Sequence, residues 1–213
     1  FACALTAIFG RLLIPVLRAL KAGQSIRESG PTWHNYKAGT PMMGGLMFVA
    51  ASALVLVLNA FTMKDYSVFY VLILSLCFGF IGFLDDFTKL KYKRNLGLTS
   101  AQKAMLQMAA SALFLYAMYR NGSMSTELYI PFIGSLNLGI FYYPFAVFVI
   151  VGFVNAVNLT DGIDGLASSV TLVVCCIYML VTGIVGLYSA NTLAAAFAGA
   201  CVGFLVWYIL VRW

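Results

Sequence analysis

Residues 145–165 have the sequence FAVFVIVGFVNAVNLTDGIDG, an apolar run that ends in a string of amide and carboxylate side chains. The apolar part is typical of a helix in lipid. The polar residues that follow are Asn155, Asn158, Asp161 and Asp164, three positions apart. Because polar groups at the edge of a membrane span are costly, they indicate function. The stretch therefore predicts a membrane helix with a polar site at its end.

The composition places the whole chain in a membrane. Of its 213 residues, 62% are hydrophobic and only 9% are charged, whereas about a quarter are charged in soluble domains. The net charge is +6, and the basic residues responsible for it lie between the apolar runs. This position favours residues that set the membrane orientation, or that bind phosphate, over residues that bind nucleic acid. The five cysteines lie inside apolar runs without metal-ligand or disulfide spacing. We predict one integral membrane domain over residues 1–213.

Seven apolar runs have the length of a membrane helix. They cover residues 2–20, 43–63, 67–87, 102–120, 142–160, 166–187 and 190–210. The segment from Thr126 to Tyr143 instead alternates and carries turn residues, which predicts a short β-hairpin outside the bilayer. The predicted fold class is all-α, a polytopic transmembrane helical bundle with one extracytoplasmic hairpin.

The basic residues predict the orientation. With alternating spans, one side receives Arg18, Lys21, Arg27, Lys37, Lys89, Lys91, Lys93, Arg94, Lys103 and Arg212. The other side receives Lys64 and Arg120. This asymmetry places the first side in the cytoplasm, and both acidic clusters then lie on the cytoplasmic face.

A second acidic cluster, Asp85-Asp86, ends the third apolar run. Two close carboxylates suit Mg²⁺ that also binds substrate phosphates, and one of them could act as a general base. The alternative is a pair of solvated charges at a helix end, although acidic residues at a helix C-terminus oppose the helix dipole.

The polar ridge at residues 155–164 allows two interpretations. Gly162 and Gly165 permit close approach of a ligand to the backbone, which favours a binding site. An ordinary Asp-Gly turn between two spans explains Asp161 and Gly162 alone, but it leaves the two asparagines and Asp164 unexplained.

The first polar loop, residues 23–45, is rich in glycine and proline and contains the only histidine, His34. A lone histidine is more often a structural group than a catalyst. Lys37, close to Thr40, is a candidate ligand for a phosphate or carbonyl, although P-loop spacing is absent. The basic set from Lys89 to Lys103 could bind a diphosphate or anionic lipid, or it could be topogenic.

Together these motifs resemble one family, the phospho-N-acetylmuramoyl-pentapeptide transferases, within the wider superfamily of polyprenyl-phosphate sugar-1-phosphate transferases. The matching motifs are Gln24-x-Ile-Arg27-x-x-Gly30-Pro31-x-x-His34-x-x-Lys37-x-Gly39-Thr40-Pro41-x-Met43-Gly44-Gly45, Asp85-Asp86-x-x-Lys89 and Asn155-x-x-Asn158-x-x-Asp161-Gly162-x-Asp164-Gly165-Leu166. They follow the family order over nearly the whole chain.

The resemblance implies a bacterial inner-membrane enzyme that makes lipid I for peptidoglycan. Phospho-MurNAc-pentapeptide would pass from UDP-MurNAc-pentapeptide to undecaprenyl phosphate with release of UMP and with Mg²⁺ as cofactor. It further implies a homodimer of ten-span subunits that binds nucleoside inhibitors such as tunicamycin.

The resemblance also assigns roles to residues. The implied catalytic residues are Asp85, Asp86 and Asp161. The implied metal ligands are Asp85 and Asn158, with a third aspartate expected beyond Trp213. The implied substrate-binding residues are Lys37, Thr40, Lys89, Lys103, Asn158, Asp161 and Asp164.

Two departures from the family pattern stand out. Met42 replaces a threonine common at that position, which puts a hydroxyl contact there in doubt. The chain ends at Trp213, before the family's Phe-Met-Gly-Asp motif and histidine-rich loop, and it begins inside an apolar run. We therefore expect a fragment truncated at both ends and inactive by itself.

Two competing functions remain open at this point. A membrane transporter or ion pathway would also use carboxylates at interrupted spans, but it would place them near the bilayer midplane. A related polyprenyl-phosphate GlcNAc-1-phosphate transferase would share the acidic motifs.

Overall fold

The computed structural model of the protein describes residues 1–19, 43–92, 97–161 and 165–211. In these ranges the chain forms seven α-helices and one two-stranded sheet. The helices are α1 (Ala2–Ala19), α2 (Gly45–Met63), α3 (Val68–Tyr92), α4 (Ser100–Arg120), α5 (Tyr142–Thr160), α6 (Leu166–Val185) and α7 (Tyr188–Val211). The strands are β1 (Glu127–Ile130) and β2 (Gly134–Asn137).

The predicted polytopic helical fold is confirmed, and each of the seven apolar runs contains a helix. Within the described ranges, five helical segments are long and apolar enough to cross a membrane, and they belong to α2, α3, α5, α6 and α7. The apolar part of α1, Ala2–Leu17, is shorter. α4 falls outside this group and carries Gln102, Lys103 and Gln107 along its first half.

The predicted hairpin is also confirmed. β1 and β2 pair antiparallel, with Glu127 opposite Asn137 and Ile130 opposite Gly134. The turn between them uses left-handed backbone at Phe132 and Gly134. The hairpin joins the end of α4 to the start of α5, so it lies about 30 Å along these helices from their other ends.

α7 is the centre of the larger half of the bundle, where it contacts α1, α2 and α6. Its small residues allow this close approach, because Ala194, Ala196, Ala198 and Ala200 are buried. Two glycines on α7, Gly199 and Gly203, face Ala2, Cys3 and Thr6 of α1. Packing through small residues four positions apart is a common way for membrane helices to associate.

Two hydrogen-bonded contacts reinforce α7. The Trp207 indole Nε1–H donates to the carbonyl of Ala7 on α1 at 2.8 Å. At the other end of α7, the Ser189 hydroxyl donates to the carboxylate of Asp65 in the α2–α3 turn. The same carboxylate accepts the Ser67 hydroxyl at 2.7 Å, which holds the start of α3.

Many large apolar side chains of the described helices are exposed, as expected for a protein in contact with lipid rather than water. Phe148 and Phe153 on α5 are 75% and 69% exposed, and Ile184 on α6 is 86% exposed. No residue of α5 is buried among the described parts of the chain. Its contact with α4 is therefore the main feature that positions it in the bundle.

The close approach of α1 to α7 predicts that Gly203→Ala destabilises the protein. A Cβ atom at position 203 would lie 2.8 Å from the Cβ atom of Thr6, and overpacking of this kind costs about 1–3 kcal/mol. Gly79→Ala is the matched control, because no atom lies within 4 Å of a Cβ there. The control should be neutral or up to about 1 kcal/mol more stable, since alanine favours helix.

The free energy of unfolding of both variants can be measured by titration with SDS in mixed micelles. Equal stability of the two variants would contradict the proposed packing of α1 on α7.

Candidate active site

The last turns of α3 bring two carboxylates next to the ammonium group of Lys89. The Lys89 Nζ atom lies 2.7 Å from Asp85 Oδ2 and 3.1 Å from Asp86 Oδ1. This follows from helix geometry, because residues three and four apart share a face. The Asp85 side chain is 13% exposed and that of Asp86 is 32% exposed. One lysine of the same helix thus contacts both adjacent aspartates.

Asp85 also fixes the segment that leads into α4. Its Oδ1 atom accepts the backbone N–H of Leu98 at 2.9 Å. Gly97 lies so close that a Cβ atom there would overlap the Asp85 carboxylate. Only glycine therefore allows the chain to pass Asp85 at this distance.

A capping box then starts α4. The Thr99 hydroxyl accepts the backbone N–H of Gln102 at 3.2 Å, and the Gln102 side chain accepts the Thr99 N–H at 3.0 Å. Such reciprocal bonds satisfy amide groups that the first helical turn leaves unpaired. The box fixes where α4 begins and therefore where Lys103 lies.

Lys103 joins three helices. Its Nζ atom lies 3.9 Å from Asp85 Oδ2 on α3 and 3.4 Å from Asn158 Oδ1 on α5. The Lys103 side chain is 20% exposed. We refer to Asp85, Asp86, Lys89, Lys103 and Asn158 as the polar cluster. It lies at the ends of α3, α4 and α5 that are remote from the hairpin.

The structure places the remaining predicted site residues as follows. Asp161 is exposed and caps the C-terminus of α5, one turn beyond Asn158. The ridge of polar residues is therefore helical only as far as Thr160. Lys37, Thr40 and Asp164 lie outside the described residues, as do His34 and Met42.

Sequence reasoning missed three contributors to this site. Gln107 is 1% exposed and contacts Asn155, and Gly97 and the Leu98 N–H contact Asp85. The available signal for Gln107 was its position one helical turn after Lys103 in an otherwise apolar stretch. Nothing in the local sequence indicates that residue 97 meets residue 85.

The cluster supplies oxygen donors and positive charges side by side. Within the described ranges, no group of three His, Cys, Asp or Glu side chains lies close enough to hold a metal ion. The carboxylates of Asp85 and Asp86 and the amide oxygen of Asn158 are nevertheless the donor types that Mg²⁺ prefers, and that ion takes few protein ligands when phosphates complete its shell. The residue types therefore fit a cation shared with a phosphate substrate.

Comparison with known families places this geometry in context. The model of glycosyl transferase family 4 matches residues 68–210, which is more than half of the chain and includes the whole polar cluster. The chain belongs to this family. Its members share the region from the start of α3 almost to the end of α7, so the cluster lies in the common part of the family.

Individual relatives are similar over nearly all of this chain. A protein of Clostridioides difficile (strain 630) is 46% identical over 200 residues, covering 93% of this chain and 62% of the relative. One of Clostridium botulinum (strain Alaska E43 / Type E3) is 43% identical, covering 95% and 62%. One of Desulfitobacterium hafniense (strain DSM 10664 / DCB-2) is 44% identical, covering 94% and 64%.

All three relatives are named phospho-N-acetylmuramoyl-pentapeptide-transferase. The resemblance indicated by the motifs is thereby confirmed. The chain spans slightly under two thirds of the length of these relatives.

The lysine that joins both aspartates predicts a stability difference. Lys89→Met should lower the free energy of unfolding by about 2 kcal/mol, the value of a hydrogen bond to a charged group, because two adjacent carboxylates lose their shared cation. Lys91→Met, two residues further along α3 and exposed, is the matched control and should have little effect. Unfolding titrations of the two variants at neutral pH test this, and equal losses would show that the ion pairs contribute nothing.

Proposed function

We propose that the protein to which this chain belongs transfers phospho-MurNAc-pentapeptide from UDP-MurNAc-pentapeptide to undecaprenyl phosphate. The products would be lipid I and UMP, in peptidoglycan synthesis. The observation that carries the proposal is the polar cluster, in which two carboxylates, two ammonium groups and an amide meet where α3 and α5 end and α4 begins. The names of the relatives support this substrate class.

The reaction needs a base, and the aspartates can supply it. In the proposed step one carboxylate of the pair takes the proton from undecaprenyl phosphate. The freed phosphate oxygen then bonds to the sugar-linked phosphorus, the bond to UMP breaks, and UMP leaves with the electron pair. Asp85 and Asp86 lie beside each other at a helix end, within reach of a lipid headgroup at the membrane surface.

The transferred group carries negative charge, which the lysines can compensate. Lys89 and Lys103 each have a flexible four-carbon stem, so their ammonium groups can turn from the carboxylates to phosphate oxygens. Asp85 and Asn158 would hold Mg²⁺, which would supply positive charge beside the diphosphate. Because the side chains of Asp85, Lys89 and Lys103 are partly shielded from water, we expect these charges to be less screened than in bulk solvent.

The nucleotide would bind on the other side of the cluster. Asn158 and Asp161 follow each other by one turn at the end of α5, and both are exposed. We propose that they, with Asp164, Lys37 and Thr40, contact the nucleoside diphosphate, and that Asp161 also assists catalysis. Nucleoside inhibitors such as tunicamycin would occupy the same pocket.

The basic residues around the cluster favour a cytoplasmic active site in a bacterial inner membrane, and we propose a homodimer as the assembly. A transporter would need its polar groups at mid-membrane and accessible from both sides. The cluster instead lies where α3 and α5 end and α4 begins. The names of the relatives favour the pentapeptide substrate over a GlcNAc-1-phosphate donor.

Loss of either aspartate tests the mechanism. In the full-length protein, Asp85→Asn and Asp86→Asn should each lower the transfer rate by about 10²–10⁴-fold, as expected when a general base or metal ligand is removed. Asp65→Asn is the control, because this carboxylate lies in the α2–α3 turn at the other end of α3, and it should stay close to wild type. UMP release with undecaprenyl phosphate, UDP-MurNAc-pentapeptide and Mg²⁺ is the measurement.

If either variant retained more than a tenth of the wild-type transfer rate, the aspartate that it lacks would have no part in the proposed mechanism. Solute uptake by vesicles that contain the protein, in the absence of any UMP release, would instead support the transporter.

The nucleotide side can be tested by calorimetry. Asn158→Ala and Asp161→Ala should each weaken UDP-sugar binding by roughly 1.5–3 kcal/mol, the range for one hydrogen bond to a charged group. Asn121→Ala is the matched control, since Asn121 caps the hairpin end of α4. Unchanged nucleotide affinity combined with a higher requirement for lipid phosphate would show that these residues serve the other substrate.

A further inference from the structure

We infer that Gln107 and Asn155 are positioning residues that hold α4 and α5 in the register that places Lys103 beside Asp85 and Asn158. The inference deepens the proposed function and rests on it. Neither side chain belongs to the polar cluster, and both lie one turn further from the helix ends.

The contact is specific and well shielded. Gln107 is 1% exposed, and its Oε1 atom accepts the Nδ2–H of Asn155 at 2.7 Å. Asn155 Nδ2 also donates to the carbonyl of Val151 at 2.8 Å, one turn back on its own helix. Asn155 is therefore held from two directions, and its amide points to α4.

The pair forms the second of two side-chain hydrogen bonds between the antiparallel helices α4 and α5. The first hydrogen bond joins Lys103 to Asn158, and the second joins Gln107 to Asn155. On each helix the two residues are three or four positions apart and thus lie on the same face. The hydrogen bond between Gln107 and Asn155 consequently also sets the distance between Lys103 and Asn158.

Apolar packing alone would not specify this register. No described residue of α5 is buried, and lipid solvates an apolar helix face about as well as another helix does. The amide pair is different, because Gln107 is buried, and sliding α5 along α4 would leave its side-chain oxygen without the Asn155 donor. Buried polar residues specify helix register in coiled coils by the same mechanism.

Leucine substitutions test the role in the full-length protein. Gln107→Leu, Asn155→Leu and the double variant should each lower kcat by about 10–100-fold, the range found when groups that orient a ligand shell are lost. When a leucine substitution is combined with Lys103→Met, the loss of kcat should be smaller than the two separate losses together, because both changes disturb the same ammonium group. Fully additive losses would overturn the inference.

Two further variants separate positioning from folding. Ser111→Ala removes a buried hydroxyl from the same face of α4, but that hydroxyl bonds only within its helix, to the carbonyl of Gln107, so kcat should hardly change. The exchange of Gln107→Asn with Asn155→Gln keeps an amide pair of the same total length and should recover most of the lost rate. An exchanged variant no more active than the double leucine variant would overturn the inference.

A last measurement needs no turnover. The acylation rate of the Lys103 amine, followed by mass spectrometry with exposed Lys91 as internal reference, should rise about fivefold in Gln107→Leu, as expected from the loss of one hydrogen bond. An unchanged rate would overturn the positioning role even if transfer is observed. A wild-type protein without any transfer would overturn the proposed function, while the acylation rates would still decide the positioning role.

Discussion

The Lys103 ammonium group lies between Asp85 of α3 and Asn158 of α5, and the rest of the site depends on this contact. Carboxylates that are largely removed from water need a partner, because desolvation costs several kcal/mol per ion. Lys89 supplies one partner from the same helix, whereas Lys103 supplies another from a neighbouring helix. Charge pairing thereby joins α3 to α4, and the hydrogen bond from Lys103 to the neutral Asn158 amide adds α5.

The two halves of the bundle are held by different forces. Around α7, glycine and alanine let backbones approach closely, so that dispersion contacts dominate. Between α3, α4 and α5, amide and charged groups form the contacts that set geometry. The first half provides a packed scaffold, and the second half carries groups whose exact placement matters for chemistry.

The distribution of polarity suits such chemistry. Large apolar side chains cover the outside, while Gln107, Ser111 and Ser52 lie buried within. Coulomb interactions are stronger where less water screens the charges, and Asp85, with a side chain 13% exposed, is the most shielded carboxylate of the cluster. The proposed phosphoryl transfer would benefit from this arrangement, because positive groups placed near the phosphates stabilise the charge of such a reaction.

The amino-acid sequence by itself determined the helices, the hairpin and both acidic motifs. These depend on local properties, namely the length of apolar runs, the alternation between residues 126 and 143, and the scarcity of acidic residues. The pairing of Lys89 with both aspartates also follows from helical spacing.

Only the tertiary structure decided that Lys103 meets Asn158, that Gln107 meets Asn155 and that Asp85 accepts the Leu98 N–H. The partners in these contacts are 55, 48 and 13 residues apart. The relative placement of α3, α4 and α5 creates them, and no periodicity within one helix encodes the face that a neighbouring helix will cover.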